Sequence, residues 1–343
     1  MKKLLNVLYV TQPDCYLALE NETVCVRKEE QTLLRLPLLN LEGIVTFGRT
    51  GASPALMGEC ARRGVDLVFL TEHGRFLARV AGESHGNVTL RREQYRAADN
   101  LARSCGLGAH FLLGKLFNSK WVLERAAREY PQRVDAQALK AASAQIGEAA
   151  ARLPLCQTPE QLRGEEGGAA TTYFRVFDEM ILNQKETFHF NGRNRRPPTD
   201  PVNALLSFGY TLLARECAAA LEGVGLDAYV GFLHRDRPGR ISLALDLMEE
   251  LRAVMVDRVV LAMINRRELS AKDFITQESG AVLLKDDSRK AFLAAWQGRK
   301  QESITHPYLE EKLLWGLVPH AQALLLARHL RGDLEAYPPF LWK

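Results

Sequence analysis

The chain has 343 residues, of which 47% are hydrophobic and 25% charged, and its formal net charge at pH 7 is +4. This length and apolar content suffice for two domains with hydrophobic cores and exclude a disordered scaffold. Because the net charge is small, any surface that binds a polyanion must come from local clusters of basic residues. The six cysteines are scattered without a CxxC pair, which indicates reduced thiols rather than a zinc site or a secreted disulfide framework.

The amino-terminal stretch MKKLLNVLYVT carries a basic pair and an apolar run. Polar Gln12, Pro13 and Asp14 follow before the core of a signal peptide can develop. No run approaches the roughly 20 apolar residues that span a bilayer. The sequence therefore predicts a soluble, cytoplasmic protein without membrane contact.

Residues 1–81 have the pattern of a β-rich domain. The polar junction between Glu20 and Thr23 suits a hairpin turn, and Ser53 and Gly64 suit the two caps of a short helix through Arg63. Strands are expected at Leu4–Thr11, Tyr16–Glu20, Thr23–Arg27, Leu33–Leu38, Gly43–Phe47, Val65–Leu70 and Phe76–Val80. This pattern predicts a β-sandwich-like domain that carries one helix.

A polar, glycine-flanked break, GESHG, separates β-type from α-type patterning and predicts a linker at residues 82–88. Residues 89–343 are expected to form a larger, all-α catalytic domain, which makes the fold class α+β. Helical spacing is found over Leu90–Arg103, Ala109–Tyr130, Ala136–Arg152, Pro159–Asn183, Pro201–Glu222, Ser242–Arg267, Ser288–Trp296 and Tyr308–Arg331.

Glu166 lies within a predicted helix, in the segment RGEEGGAATTYF. Gly167 and Gly168 follow it, and each costs roughly 1 kcal/mol relative to alanine in a helix interior. Such small residues let a ligand or a second backbone approach closely, which would bring the Glu166 carboxylate into a cleft. The alternative is close helix packing, with Glu165 and Glu166 in solvent.

Three further side chains have the chemistry of metal ligands. His234 stands between an apolar run and the charged turn RDRPGR, where a neutral imidazole can bind a metal ion; the alternative is a structural histidine. Asp246 and Glu249 are three residues apart, so a helix places both on one face, where a cation would relieve their repulsion; the alternative is a solvated acidic face. With Glu166, they form an oxygen-rich set that suits Mg²⁺ or Mn²⁺.

A basic loop with the sequence NGRNRRPP precedes a predicted helix that Asp200 caps and Pro201 begins. Guanidinium groups bind phosphate oxygens in bidentate fashion, so this loop predicts contact with nucleic acid; the alternative is a disordered basic loop. A polar stripe on the helix, spaced i, i+4 and i+7, is expected to face the site or a partner helix. The predicted DNA-binding set is Arg193, Arg195, Arg196, Asn203, Ser207, Tyr210 and Arg240.

Taken in order, these strings resemble the core integrase of CRISPR adaptation, a family of CRISPR-associated endonucleases that insert new spacers into the repeat array. The similar strings run along the whole chain: LLNVLYVT, GxEGxAAxxYF around Glu166, GRxRRPPxDPxNALLSFGY, GFLH at His234 and GRxSLxxDLxE through Glu249. The amino-terminal sequence is most similar to that of the branch that accompanies type I-C systems.

The resemblance implies Glu166, His234 and Glu249 as ligands of Mg²⁺ or Mn²⁺ and Asp246 as a further acidic position, leaving open which of Asp246 and Glu249 binds directly. It implies attack by the 3′-hydroxyl of a short DNA duplex on a phosphodiester of CRISPR repeat DNA, assisted by the metal. It also implies a homodimer that joins a small ferredoxin-like CRISPR-associated protein in a heterohexamer.

Two other functions are compatible with the same residues. A stand-alone, structure-selective DNA repair nuclease would use the same carboxylates without a partner and would cut branched DNA. A non-catalytic DNA-binding scaffold would depend only on the basic loop, so chelation of metal would leave it unaffected.

Overall fold

The computed structural model of the chain describes residues 7–41, 43–72, 76–82 and 88–343. Contacts divide the chain into two compact units, residues 1–86 with 284–301 and residues 87–283 with 302–343. Residues 4–6 of the first predicted strand and residues 83–87 of the predicted linker lie outside the described residues. The sequence patterns did not indicate that residues 284–301 return to the first unit.

The first unit contains two four-stranded sheets. In one, β2, β3 and β4 form an antiparallel meander and the short β6 pairs with β2 in parallel; in the other, β1, β5 and β7 are parallel and β8 is antiparallel. The strands are β1 (Val7–Val10), β2 (Tyr16–Glu20), β3 (Thr23–Lys28), β4 (Gln31–Pro37), β5 (Gly43–Phe47), β6 (Gly51–Ala52), β7 (Asp66–Leu70) and β8 (Phe76–Val80).

The two sheets share one hydrophobic core, which confirms the predicted β-sandwich-like unit. Leu17 and Val24 from one sheet and Ile44 and Leu67 from the other are all fully buried in a single apolar cluster. Burial of this kind contributes roughly 25 cal/mol per Å² of apolar surface and is the main force that holds the sheets together.

Local chemistry explains the turns and caps of this unit. Asn21 and Glu22 both have positive φ and form the two-residue turn between β2 and β3, as the right-handed twist of a hairpin favours. The Ser53 side chain accepts a hydrogen bond from the Leu56 N–H, and Gly64 ends the helix at φ +69°. The predicted hairpin and helix are therefore confirmed.

Helices dominate the second unit. In the described residues the helices are α1 (Pro54–Arg63), α2 (Val88–Asp99), α3 (Leu101–Glu129), α4 (Ala136–Arg152), α5 (Pro159–Arg175), α6 (Pro201–Gly223), α7 (Ser242–Glu249), α8 (Arg258–Asn265), α9 (Asp286–Gln301) and α10 (Val318–Leu330). Of these, α1 and α9 belong to the first unit. Short 3₁₀ segments follow α4 and α5 and precede α10.

Several predictions for this unit need correction, among them the helix over Tyr308–Arg331, which is α-helical only over Val318–Leu330. The unit is not all-α, because it carries two-stranded ribbons formed by β9 (Phe274–Thr276) with β10 (Val282–Leu284) and by β11 (Ser303–Thr305) with β12 (Lys312–Leu314). Strands of three residues are too short for an alternating pattern to reveal them. The helix predicted over Ser242–Arg267 is also interrupted, since a π-helical segment lies between α7 and α8.

Helix α6 is the core helix of the unit. Among the described helices it alone has the length and composition to cross a membrane, but 72% of its apolar window is buried inside the protein. Such burial is typical of a core helix. Its start was predicted correctly, because the Asp200 side chain accepts a hydrogen bond from the Asn203 N–H and Pro201 occupies the first helical position.

Candidate active site

Helix α5 presents Glu166 at an open face of the second unit. The helix starts at a capping box between Thr158 and Gln161, and Glu166 lies two turns later with 30% of its side chain exposed. Gly167 and Gly168 are exposed, and a Cβ atom built on either would meet nothing within 4 Å. The glycines therefore do not serve close helix packing, and they leave the surface beside Glu166 open to a ligand.

The Glu166 carboxylate pairs with the ammonium group of Lys115, which comes from α3. The same Lys115 Nζ lies 2.8 Å from Oε2 of Glu249, at the end of α7. Glu249 is only 3% exposed, and its two oxygens also accept hydrogen bonds from Arg252 Nη1 at 2.7 and 3.0 Å. One cationic group thus holds together two carboxylates that are 83 positions apart in the sequence.

The electrostatics of Glu249 follow from these contacts. Burial raises the pKa of the Glu249 carboxyl, but the positive charges of Arg252 and Lys115, with a contribution from His234, outweigh burial and hold the pKa well below its usual range. Glu249 is therefore ionised at neutral pH.

His234 and Asp246 form a separate, tightly bonded pair. His234 Nδ1 lies 2.6 Å from Oδ1 of the fully buried Asp246, which also accepts hydrogen bonds from the backbone N–H groups of Phe232, Leu233 and His234 at 2.7 to 3.0 Å. A Cβ atom at Gly231 would lie 2.8 Å from Oδ2 of Asp246, so only glycine lets the loop approach this closely. Asp246 therefore holds the loop in place and orients the imidazole ring through Nδ1. This leaves Nε2 for a ligand.

The structure thus places the four predicted catalytic residues in one unit but gives them different partners. Asp246 contacts the loop backbone and His234, whereas Glu249 contacts Lys115 and Arg252. Among the residues that the structure describes, no group of three histidine, cysteine or acidic side chains is assembled as a ready metal site. Instead, the ammonium group of Lys115 stands where two carboxylates meet. Glu166, Glu249 and Nε2 of His234 fit a hard divalent cation as a donor set.

The predicted polar stripe on α6 holds the basic loop. Asn203 is fully buried and accepts hydrogen bonds from Arg193 Nη1 at 2.5 Å and from the Asn194 N–H at 3.1 Å. Ser207 accepts another from Arg193 Nη2 at 3.0 Å, and the guanidinium group lies over the Tyr210 ring. Burial lowers the pKa of Arg193. The polar atoms of Arg193, Asn203 and Ser207 already hydrogen-bond with one another. These side chains therefore hold the loop in place from the inside of the protein.

Tyr210 is also unavailable to DNA, which corrects its predicted role. Its ring is buried, its hydroxyl donates to Oδ1 of Asp257 at 2.5 Å, and the Arg252 guanidinium lies 4.3 Å from the ring centre. The Tyr173 hydroxyl donates to the other oxygen of Asp257 at 3.0 Å. This buried network supports Arg252, which in turn contacts Glu249.

The outer arginines form an exposed basic surface. Arg195 and Arg196 are exposed and Arg240 is half-buried. Burial lowers the pKa of Arg240, Asp246 opposes this, and the charges of nearby arginines lower it further; these are Arg237, Arg196 and Arg195. In the described part of the chain, no carboxylate lies within ion-pair distance of these four side chains. We call Arg195, Arg196, Arg237 and Arg240 the basic surface. Like charges that lie close together without an ion-pair partner attract an anion.

Sequence reasoning missed four residues of this arrangement: Lys115, Arg237, Arg252 and Asp257. Arg252 follows Glu249 by three positions, a spacing that does indicate an ion pair on a helix. Arg237 belongs to a turn whose charge is evident from the sequence, but the nearness of this turn to Arg240 is not. Lys115 lies in an ordinary amphipathic helix far from the other site residues in sequence, so no local pattern marks it.

Comparisons with known proteins show what the chain is similar to. The curated endonucleases named CRISPR-associated endonuclease Cas1 from Chlorobaculum tepidum and Rhodospirillum rubrum are 50% and 49% identical to the chain, and each alignment covers all of both proteins. A solved casposase bound to its integration product superposes with a TM-score of 0.85 at 23% identity, over 99% of this chain and 95% of that one.

A second solved structure, a Cas1 protein from Thermotoga maritima, superposes with a TM-score of 0.80 at 21% identity, over 96% of this chain and 97% of that one. At these identities the structures show the fold alone, with its β-sheet unit and larger helical part. None of the matches specifies the type I-C branch, which stays a prediction. The family profile described as CRISPR associated protein Cas1 matches residues 8–298, and with full-length relatives near 50% identity the chain belongs to the Cas1 family.

Proposed function

We propose that the protein is a DNA integrase that depends on a divalent metal ion and inserts short duplex fragments into a CRISPR array. In the proposed reaction the 3′-hydroxyl of a fragment attacks a phosphodiester at the boundary of a repeat; the new P–O bond replaces the bond to the 3′-oxygen of the repeat strand, which leaves as a hydroxyl group. The observation that carries the proposal is the meeting of Glu166 and Glu249 on one cationic group, Lys115, at an open face of the helical unit.

The relatives support DNA as substrate. The curated relatives are named endonucleases, the casposase with the same fold is bound to an integration product, and another fold neighbour is a Cas6-RT-Cas1–Cas2 complex with a TM-score of 0.82. By analogy, we propose that this chain acts with a small ferredoxin-like CRISPR-associated protein. A homodimer within a heterohexamer is part of the same proposal.

Glu166, Glu249 and His234 would hold Mg²⁺ or Mn²⁺. When bound, such an ion supplies stabilisation of negative charge on the attacked phosphate and lowers the pKa of the attacking hydroxyl. Asp246 keeps the imidazole oriented through Nδ1, a task that carboxylates often perform for ligating histidines. Glu249 is thus proposed as the direct ligand and Asp246 as the positioning carboxylate.

The arginines of the basic surface have a different task. Arg195, Arg196 and Arg240 are proposed to bind phosphate groups of the duplex, because guanidinium groups match phosphate oxygens in bidentate geometry. Arg193 shapes the loop that carries the first two, since its own donors are used by Asn203 and Ser207.

The test is joining of a short duplex to a supercoiled plasmid that carries a repeat, with the small partner and Mn²⁺ or Mg²⁺. Glu166→Ala should lower the joining rate at least about 100-fold, because it removes a metal ligand, while affinity for the duplex stays near wild type. Glu165→Ala is the matched control: the neighbouring carboxylate pairs with Arg152 at 2.8 Å instead and its loss should leave joining unchanged.

Other outcomes would replace the proposal. Metal-dependent cutting of branched DNA without the partner, and no joining, would identify a stand-alone repair nuclease. Binding of DNA without either reaction, unaffected by chelation, would identify a scaffold. Equal loss of joining in Glu166→Ala and Glu165→Ala would show that the helix face, and not the Glu166 carboxylate, matters.

A further inference from the structure

Lys115 makes contacts that the proposed reaction does not explain. It projects from the middle of α3 with only 12% of its side chain exposed, and its ammonium group contacts both Glu166 and Glu249. Burial of an ammonium group is costly unless ion pairs compensate for it. Here two carboxylates do so, and they are two of the proposed metal ligands.

We propose that Lys115 is a built-in counter-ion that occupies the site between Glu166 and Glu249 when no metal is bound, and that a divalent cation displaces it. The inference rests on the proposed function, because it requires that these carboxylates bind a metal ion. It goes further by assigning to Lys115 a competition with the metal that sets the affinity of the site.

Charge balance is the physical reason for this exclusion. Two carboxylates, Glu166 and Glu249, face two cationic groups, Lys115 and Arg252, so the four formal charges cancel. A divalent cation added to this group would carry two uncompensated positive charges into a partly buried place. Coulomb repulsion at a few ångströms is strong where water is scarce, so the cation and the ammonium group exclude each other.

Mobility decides which cationic group leaves. Arg252 is held by both oxygens of Glu249 and by the face of the Tyr210 ring. Lys115 has one ammonium group on a flexible four-carbon stem, and Glu166, one of its partners, is partly exposed. Withdrawal of Lys115 therefore disturbs fewer contacts than withdrawal of Arg252.

The device also has a function. Without Lys115, the carboxylates of Glu166 and Glu249 would repel each other and spread whenever the metal was absent. With it, both stay in contact with one ammonium group. The cost is that the metal must compete, so its apparent affinity is reduced by the fraction of sites in which the ammonium group is bound.

The experiment measures Mn²⁺ affinity by titration of chelator-treated, full-length protein, without DNA, using the electron paramagnetic resonance signal of free Mn²⁺. Lys115→Met and Lys115→Gln remove the competing charge and should bind Mn²⁺ roughly ten-fold more tightly than wild type. Lys115→Arg keeps a cation and should not. Lys120→Met, five positions further along α3, is the matched control and should leave the affinity unchanged.

The outcomes separate this inference from the proposed function. If wild type binds Mn²⁺, and Glu166→Ala abolishes binding, but Lys115→Met and Lys115→Gln bind it no more tightly than wild type, Lys115 is a structural residue and the inference is wrong. If wild type and both neutral variants fail to bind Mn²⁺, the metal-dependent function itself is wrong. Use of two neutral variants protects the test against misfolding of one.

Discussion

At the scale of single residues, two carboxylates one turn apart have different tasks. Positions i and i+3 differ by about 60° around a helix, and this rotation is enough to aim Asp246 at the loop backbone and Glu249 at Lys115 and Arg252. The sequence predicts that both carboxylates lie near the site. It does not reveal which of the two accepts hydrogen bonds from backbone N–H groups, because those donors belong to a loop whose path depends on the fold.

Asp246→Asn tests the positioning role of this residue. The amide presents two N–H donors where the loop needs acceptors, so the orientation of His234 is lost. We expect affinity for Mn²⁺ and the joining rate to fall roughly 10- to 100-fold, as for other partners of ligating histidines, with duplex affinity unchanged. Titration of Mn²⁺ and a single-turnover joining assay measure these effects.

The matched control is Asp236→Asn, which changes an exposed aspartate of the same loop and should behave as wild type. Wild-type Mn²⁺ affinity in Asp246→Asn would show that the imidazole does not need its carboxylate partner.

At the scale of elements, capping predicts helix starts well and helix interiors poorly. The starts of α1, α5 and α6 are visible in the sequence because their capping residues are local. The π-helical segment Arg252–Asp257 is not. Asp257 at its end contacts Tyr210 of α6, and such a tertiary contact overrides the regular periodicity of a helix.

Asp257 makes the stability of this segment dependent on pH. Burial raises its pKa to about 6 from 3.8, against the hydrogen bonds from Tyr210 and Tyr173 and the charges of Arg252 and Arg193. The folded state therefore holds the proton more tightly than the unfolded state. The resulting contribution to stability is fully present below pH 3.8 and is lost as the pH rises through about 6.

Asp257→Asn removes this titration. Relative to wild type, the free energy of unfolding of the variant should rise by about 3 kcal/mol between pH 4 and pH 7 and then stay level. Denaturant unfolding at a series of pH values measures the difference. A constant difference between variant and wild type over this range would contradict the assignment.

At the scale of the whole molecule, the sequence motifs locate most residues of the candidate site, but long-range packing completes it. Glu166, His234 and Glu249 each stand in a recognisable string, whereas Lys115 becomes a site residue only because α3 packs beside α5 and α7. A similar long-range arrangement holds Glu250, whose buried oxygens accept hydrogen bonds from Tyr337, Gln322 and Phe340. No local pattern predicts such contacts.

The charge of the molecule predicts how it binds DNA. The net charge is only +4, so affinity must come from clusters such as the basic surface. The double variant Arg195→Ala with Arg196→Ala should weaken duplex binding and reduce the slope of log K against log salt by about 2, since each phosphate contact contributes about 0.9. Fluorescence anisotropy at several salt concentrations measures this slope.

The control is Arg266→Ala, an exposed arginine that lies 4.0 Å from Glu268 and should leave the slope unchanged. If the double variant keeps the wild-type slope, DNA does not contact this surface.

The most direct test of the central claim is the position of Mn²⁺ in a crystal of the protein, found by anomalous scattering at the manganese edge. We expect one peak at coordination distance from Glu166, Glu249 and Nε2 of His234, with Lys115 moved away from both carboxylates. A peak at Asp246 instead, or a protein saturated with Mn²⁺ in which Lys115 still bridges Glu166 and Glu249, would contradict the claim.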